Sequence, residues 1–477
     1  FDGSLKPAAL SRLPAPAGQE LLPAAVNPFA PIGPALPQDP ASTGPANGGG
    51  DTSYPVNPTV VAPQPDVDAS ELAQGLNQFN WELFAKVAAQ AHGQNVFVSP
   101  FSVASALGML YAGAKGVTAE EMASVLHLPA DLTSAMDQFQ ELNAQFQGVG
   151  QASRDYILNV ANALWLGQQY QLDPAYLASV RQAFGADLAK VDFADKDQVA
   201  ELINKWADDK TNGMIKHIID PSNVADDTCL MLGNAVYFKG QWEQGFSKGA
   251  TDAKTFHNID GSEIQTDMMH QTDTFKLYEG DGVKVLEMPY KGGDEEMVVV
   301  LPDAADGLGT LTQSMTQTQL DQWLAQASMS DVILSMPKFT QDYGTQLQGI
   351  LTNMGLGDLF VAPDLSGLGL GDDVAVSFVK HAASVKVDES GSEAAAVTVI
   401  GVGMTSCAPP QPVYHVFNAD HPFLYAIRNT KTGVIQFVGQ MTTAAQASAQ
   451  SIANTRTGDT VPITGTITVH VPSPVGG

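Results

Sequence analysis
The sequence predicts a mixed α+β domain, and three observations carry that prediction. Amphipathic helical patterns fill the first half of the ordered chain, apolar strand-like runs fill the second, and the two do not alternate regularly. No fixed-period repeat is present that would make the pattern a solenoid. With 477 residues and 44% hydrophobic content, the chain can bury a large core.

Residues 1–68 stand outside that domain. They hold 14 of the 29 prolines, together with Gly48-Gly49-Gly50 and many alanines. Such a stretch gives up helix hydrogen bonds and offers too little apolar surface to order itself, so it reads as a disordered arm. The chain begins at Phe1 with no apolar signal region after it, which predicts a processed chain.

From Ser70 the segment SELAQGLNQFNWELFAKVAAQ sets Leu72, Leu76, Phe79, Leu83, Phe84 and Val87 at three- and four-residue spacings. This predicts an amphipathic helix with Ser70 as its N-cap. Helical patterns follow in VASALGMLYAGA, TAEEMASVLHL, DPAYLASVRQAF and QVAELINKWADDKT, as far as about residue 215. Strand-like runs then take over in CLMLGNAVYF, VKVLEMPY, EMVVVLP, DVILSMPKF, ASVKVDE and HPFLYAIRN. The domain is therefore expected over residues 69–443. The tail, 444–477, is rich in Ala, Gln, Ser and Thr and ends near ITGTITVHV, whose alternation makes it a candidate for one short strand. A lone strand with no assigned partner is marginal, so a mostly disordered tail is expected.

Composition excludes several functions. With 23 Lys+Arg against 51 Asp+Glu, the net charge of −28 disfavours nucleic acid, heparin and anionic membranes as partners, because those draw their affinity from basic residues. No apolar run is long enough to span a bilayer. Two cysteines, Cys229 and Cys407, make no disulfide framework, and the one Asn-x-Thr candidate, Asn57-Pro58-Thr59, is spoiled by its proline.

Enzyme signatures are missing too. No nucleophile elbow, zinc-protease helix, phosphate loop or dinucleotide fingerprint is present. The nine histidines are scattered, so no metal site and no cofactor are expected. Cys407 has His415 and His421 nearby in sequence, but it stands beside Pro409-Pro410 in a loop-like stretch and reads as an incidental thiol.

Four separated segments carry a resemblance. NVFVSPFSVASALGMLYAGAKGVTAEEM (95–122), LMLGNAVYFKGQWEQGF (230–246), VSFVKHAASVKVDESGSEAAA (376–396) and FNADHPFLYAIRNTKTGVIQFVGQM (417–441) resemble the serpin family, its bacterial members included, in order and spacing. The resemblance covers about residues 70–443. It implies three β-sheets with eight or nine helices and an exposed reactive loop. In inhibitory members a serine protease attacks that loop and forms an acyl-enzyme. The loop then inserts into the central sheet as an extra strand, trapping the protease covalently.

The resemblance also assigns parts. Glu389, Gly391, Ser392, Glu393, Ala394, Ala395 and Ala396 match the hinge of the loop. Ser99, Ser102, Asn234 and His381 match the shutter, a buried polar cluster where the central strands part, and Trp242, Lys338 and Glu389 match the breach, where the loop first enters. Counting from Glu389 puts the reactive bond at Thr405-Ser406, with Met404 as the alternative register and residues 403–406 as the window.

The hinge passes a physical test. A loop that becomes a buried strand sends every second side chain to the core. That set, Ser392, Ala394, Ala396 and Thr398, is small and uncharged, whereas Glu393 falls on the outward set. A charge on the inward set would cost several kcal/mol. Sixteen residues from Glu389 span at most about 50 Å, and a dozen ladder hydrogen bonds yield on the order of 10 kcal/mol. Such a sequence must be metastable before cleavage.

No Lys or Arg lies between Lys386 and Arg428, which leaves a trypsin-like enzyme nothing to grip. The expected partner is an elastase-like or subtilisin-like serine protease, or a chymotrypsin-like one if cleavage follows Met404. Heparin control is not expected, because no Lys or Arg lies between Lys115 and Arg154, around the matching helix DLTSAMDQFQELNAQF. The chain is expected to be a monomer, extracellular or in the cell envelope. The alternative reading is a non-inhibitory serpin acting as a carrier, chaperone or storage protein.

Overall fold
Helix α1 (Ser70–Gln90) opens the ordered fold, with Leu72, Leu76, Phe79, Leu83, Phe84 and Val87 all buried on its inner face. Ser70 is its first residue rather than its cap. Ala69 stands at the N-cap, and the Asp68 carboxylate accepts the Ser70 N–H at 2.9 Å. A carboxylate two residues upstream reaches a free first-turn donor as well as a cap hydroxyl does. This computed structural model describes residues 61–63, 67–147, 156–211, 213, 215–371, 374–391, 413–445 and 461–470, all within the unit 48–477.

The short strand β1 (Val96–Val98) leads into α2 (Pro100–Tyr111), α3 (Gly116–Val125) and α4 (Leu132–Gln147). Two strands then interrupt the helical half: β2 (Tyr156–Gly167) and β3 (Asp187–Val191), with α5 (Pro174–Phe184) between them and α6 (Lys196–Lys210) after. The sequence reading ran helices through to about 215 and passed over β2. Its segment YILNVANALWLG is covered on both faces, so the two-residue alternation that marks a strand is lost.

Strand β4 (Thr228–Gly240) shows the same double burial from its packing. Leu230, Leu232, Val236 and Phe238 join the main core, whereas Met231 and Ala235 join a second core with Trp165, Ile203 and Trp206 under α6. Next come β5 (Asp252–His257), β6 (Glu263–Gly280), β7 (Val283–Pro289) and β8 (Glu295–Pro302), followed by α7 (Leu308–Ser314) and α8 (Gln317–Gln326). Strands β9 (Ser328–Pro337) and β10 (Phe339–Gln346) precede two short helices, α9 (Gln348–Met354) and α10 (Asp358–Val361). The chain then forms β11 (Ala375–Val387), β12 (Tyr414–Asn418), β13 (Phe423–Asn429), β14 (Ile435–Met441) and β15 (Val461–His470).

These strands make three sheets, as the resemblance implies, among ten described α-helices; the one beyond the expected nine is a single turn such as α10. Strand β6 serves two sheets: it pairs first with β5 and β9, then at its end with β7. The set β7, β8, β13, β14 and β1 continues one sheet, and β12 edges the other. The third sheet has the order β10-β11-β15-β4-β2-β3.

Strand β15 is the difference that matters most for the sequence reading. The tail stretch ITGTITVHV has two partners, for β15 pairs antiparallel with β11 on one side and β4 on the other. Those partners are remote in sequence, which is why local pattern marked a candidate strand but assigned it no partner.

Candidate functional site
The middle of the third sheet carries the polar cluster. Ser99 caps α2, its hydroxyl accepting the Ser102 N–H at 3.1 Å, with Pro100 at the first helical position. The Ser99 N–H donates to Nε2 of His381 on β11 at 3.0 Å. From α2, the Ser102 hydroxyl donates to the side-chain oxygen of Asn234 on β4. Asn234 Nδ2 donates to Asn162 Oδ1 on β2 at 2.7 Å, and Asn162 Nδ2 to the Phe184 carbonyl at 2.7 Å.

Burial fixes the protonation of this cluster. Ser99, Ser102, Asn234 and His381 are all fully buried. Burial pushes the His381 imidazole down to about 3, so it is neutral near pH 7. Because Nε2 accepts from Ser99, the ring proton sits on Nδ1, which has no partner among the described residues. Asn162 was missed by sequence reasoning; it is one of two asparagines in an apolar strand run, and only the fold shows that it is the buried one, with Asn159 exposed.

The second cluster lies at the end of β11. Trp242 is buried and stacks on Tyr290 with ring centroids 4.6 Å apart and planes 11° apart. Its Nε1–H donates to the Asp388 carbonyl at 3.0 Å, and its backbone N–H to the Ser390 carbonyl at 3.1 Å. Lys338 Nζ meets Glu389 Oε2 at 3.0 Å, and the Thr251 hydroxyl donates to Oε1 at 2.9 Å. Burial pushes the Glu389 carboxyl up, but hydrogen bonds from its own amide, Lys338 and Thr251, with the Lys338 charge, hold it below the usual range. The Glu389 side chain is only 5% exposed and that of Lys338 36%, so the pair is half-buried, with its carboxylate inside and its ammonium at the surface.

Gly391 closes the turn with φ +120°. A Cβ there would lie 2.5 Å from the Gly240 carbonyl oxygen and 2.6 Å from the Trp242 nitrogen. Only glycine fits, so the residue is required by close backbone approach as well as by its freedom to pivot. Thr251, Asp388, Gly240 and Tyr290 were not singled out from sequence, since their part depends on which strands meet here.

The remaining expected site residues, Ser392, Glu393, Ala394, Ala395, Ala396, Met404, Thr405 and Ser406, lie outside the described residues, as does Cys407. The histidines near Cys407 in sequence are engaged elsewhere. His415 Nδ1 is 2.7 Å from Glu279, and His421 contacts Asp420 and the Pro302 carbonyl at 2.8 and 2.7 Å. The Cys229 thiol is buried and pushed up to about 12, far from a thiolate. Among the described residues no group of three His, Cys, Asp or Glu is placed to hold a metal, and no helix is long and apolar enough to cross a membrane.

Comparison with known proteins agrees with this geometry. The family model described as "Serpin (serine protease inhibitor)" matches residues 74–444. An uncharacterized serpin-like protein of Thermococcus kodakarensis is 34% identical, over 82% of this chain and 91% of its own length. The human leukocyte elastase inhibitor is 33% identical, over 78% of this chain and 98% of its own. Among solved structures, a loop-inserted, cleaved ovalbumin mutant aligns with a TM-score of 0.69 at 25% identity, covering 78% of this chain and all of that one. With the family model spanning most of the chain and the fold in agreement, the chain belongs to the serpins, a family of protease inhibitors rather than enzymes.

Proposed function
We propose that the protein is an irreversible suicide inhibitor of serine proteases. The observation that carries this reading is that the central sheet accepts a strand antiparallel to both β11 and β4. A chain leaving β11 through the turn at residues 388–391 and folding back would need that slot. Small, uncharged alternate residues from Ser392 to Thr398 suit it. Trp242 and Lys338 hold the turn at its mouth, as the breach, and the cluster around His381 and Asn234 spans the strands that part, as the shutter.

In the proposed reaction the protease serine oxygen attacks the Thr405 carbonyl, and the bond to Ser406 breaks. The new amine of Ser406 takes the proton, leaving Thr405 esterified to the protease. Insertion of the loop then arrests the ester before water reaches it. The side chains of Val402, Met404 and Thr405 favour an elastase-like or subtilisin-like target, and cleavage after Met404 would admit a chymotrypsin-like one. The human elastase inhibitor among the relatives supports the first. We propose further that the protein acts as a monomer, extracellular or in the cell envelope, with no heparin cofactor.

The test is to mix the protein with elastase-like, subtilisin-like, chymotrypsin-like and trypsin-like proteases and run denaturing gels. A complex that survives denaturant, with a released peptide starting within residues 404–407, is expected for one of the first three. Cleavage by all of them with no complex would leave the non-inhibitory reading, which draws its own support from β15 already standing in the slot.

A further inference from the structure
Strand β15 lies beyond the family match, which ends at residue 444, yet it is the third strand in the order β10-β11-β15-β4-β2-β3 of the central sheet. Its register runs through the middle of the polar cluster. Gly465 is paired with His381 on β11 and with Asn234 on β4, so one rung reads Thr345, His381, Gly465, Asn234, Asn162 across five strands. A residue without a side chain stands where the two buried polar groups flank the intruding strand.

The rest of the register follows the same logic. Ile463 is paired with Ala383 and Val236, and Ile467 with Val379 and Leu232, all four buried in the main core. Thr464 and Thr466 fall on the alternate positions, paired on β11 with the half-buried Ala382 and Lys380. Apolar and polar residues in β15 thus alternate in phase with a sheet that has one core face along β11. Sixteen residue steps separate Ala445 from Val461, a reach of at most about 50 Å in extended chain.

Two features of β15 limit its hold. Pro462 has no N–H to give to the ladder, and Gly465 adds no packing of its own. The stretch from Ser392 to Thr405 contains no proline and is longer.

We propose that residues 461–470 are an intramolecular occupant of the slot that the reactive loop requires, a tethered strand that stabilises the uncleaved protein and must be expelled before the loop inserts. This rests on the inhibitory reading for the loop's part, but the occupancy itself rests on the register alone. The tail then sets how readily the protein works as an inhibitor. While β15 holds its place, a protease that has cut the loop has longer to hydrolyse its ester and leave.

The experiment compares the full chain with residues 1–445, which keep the whole family-matched region, and with the full-length variant Ile467→Asp. Melting of the uncleaved proteins is measured first, and then again after the loop is nicked by a protease that forms no complex. Loss of the tail, or of its insertion in Ile467→Asp, is expected to lower the uncleaved midpoint by several degrees. The rise on nicking is expected to be larger in 1–445 than in the full chain, because only the latter must give up a strand. A synthetic peptide of residues 461–470 should restore the midpoint of 1–445, and a scrambled peptide should not. Equal midpoints and equal rises for the full chain and 1–445 would overturn the proposal. Covalent complex formation is scored separately on the same proteins, with several-fold fewer loops cut per complex expected for 1–445. Tail-dependent melting with no complex from either form would sustain the occupancy and sink the inhibitory reading instead.

Discussion
The backbone amide of Ser99 donates to Nε2 of His381 at 3.0 Å, joining the cap of α2 to the middle of β11. The bond exists only while the imidazole is neutral, since a protonated ring would turn an N–H toward another N–H.

This makes the polar cluster around His381 pH-dependent. Unfolded His381 takes a proton near pH 6.5, whereas the folded one, held down by burial, does not until about 3. Between those values the unfolded chain binds more protons, so stability is full above pH 6.5, falls as the pH drops, and levels off near 3. A gap of that size corresponds to at most on the order of 5 kcal/mol. In urea unfolding, the advantage of the wild type over His381→Asn should shrink from pH 7 to pH 4. A constant difference would count against it.

Gly391→Ala should destabilise the uncleaved protein by about 1–3 kcal/mol, through a Cβ driven against the Gly240 carbonyl at a positive φ. Thermal melting checks this, with Gly245→Ala, whose nearest contact is an ordinary 3.4 Å, as the control.

Lys338→Met leaves the buried Glu389 carboxylate without its cation and should cost about 1–3 kcal/mol. Screening acts less on a pair whose carboxylate is buried than on a fully exposed one, so only part of the loss should disappear between low and high salt. Adding Glu389→Leu should recover part of it, measured as a double-mutant cycle. A loss that vanishes in 1 M salt would mean the pair acts as an exposed one.

Ala394→Arg tests the loop register. If position 394 enters the core on insertion, the charge costs several kcal/mol there and the variant should be cut without forming a complex. Glu393→Arg, on the outward set, should still trap the protease. Equal behaviour of the two would refute the assigned register.

Heparin should leave inhibition rates unchanged. Helix α4 contains no Lys or Arg, so it has no counter-charge to offer a sulfated chain. A salt-sensitive acceleration in stopped-flow measurements would contradict this.

Much of the fold was legible in local pattern. Leu72 to Val87 announced α1 by spacing, and the runs from Val283 to Pro302 announced β7 and β8, because amphipathic and apolar runs report burial directly. Ser99, Ser102, Asn234 and His381 were recognisable through motif resemblance, and the structure brings them together with the Asn162 that pattern had not flagged. β2 escaped because helix α6 covers its outer face and erases the alternation.

The sequence by itself determined the family, the small uncharged residues from Ser392 to Thr398 and the absence of Lys and Arg on α4, since each is a property of residue type and order. The tertiary structure alone decided that Gly391 lies against Gly240, that Glu389 is buried against Lys338, and that Gly465 is registered between His381 and Asn234. Each of those joins residues far apart in the chain. No local preference encodes such a pairing, because strand partners and buried neighbours are chosen by the whole core and not by the segment.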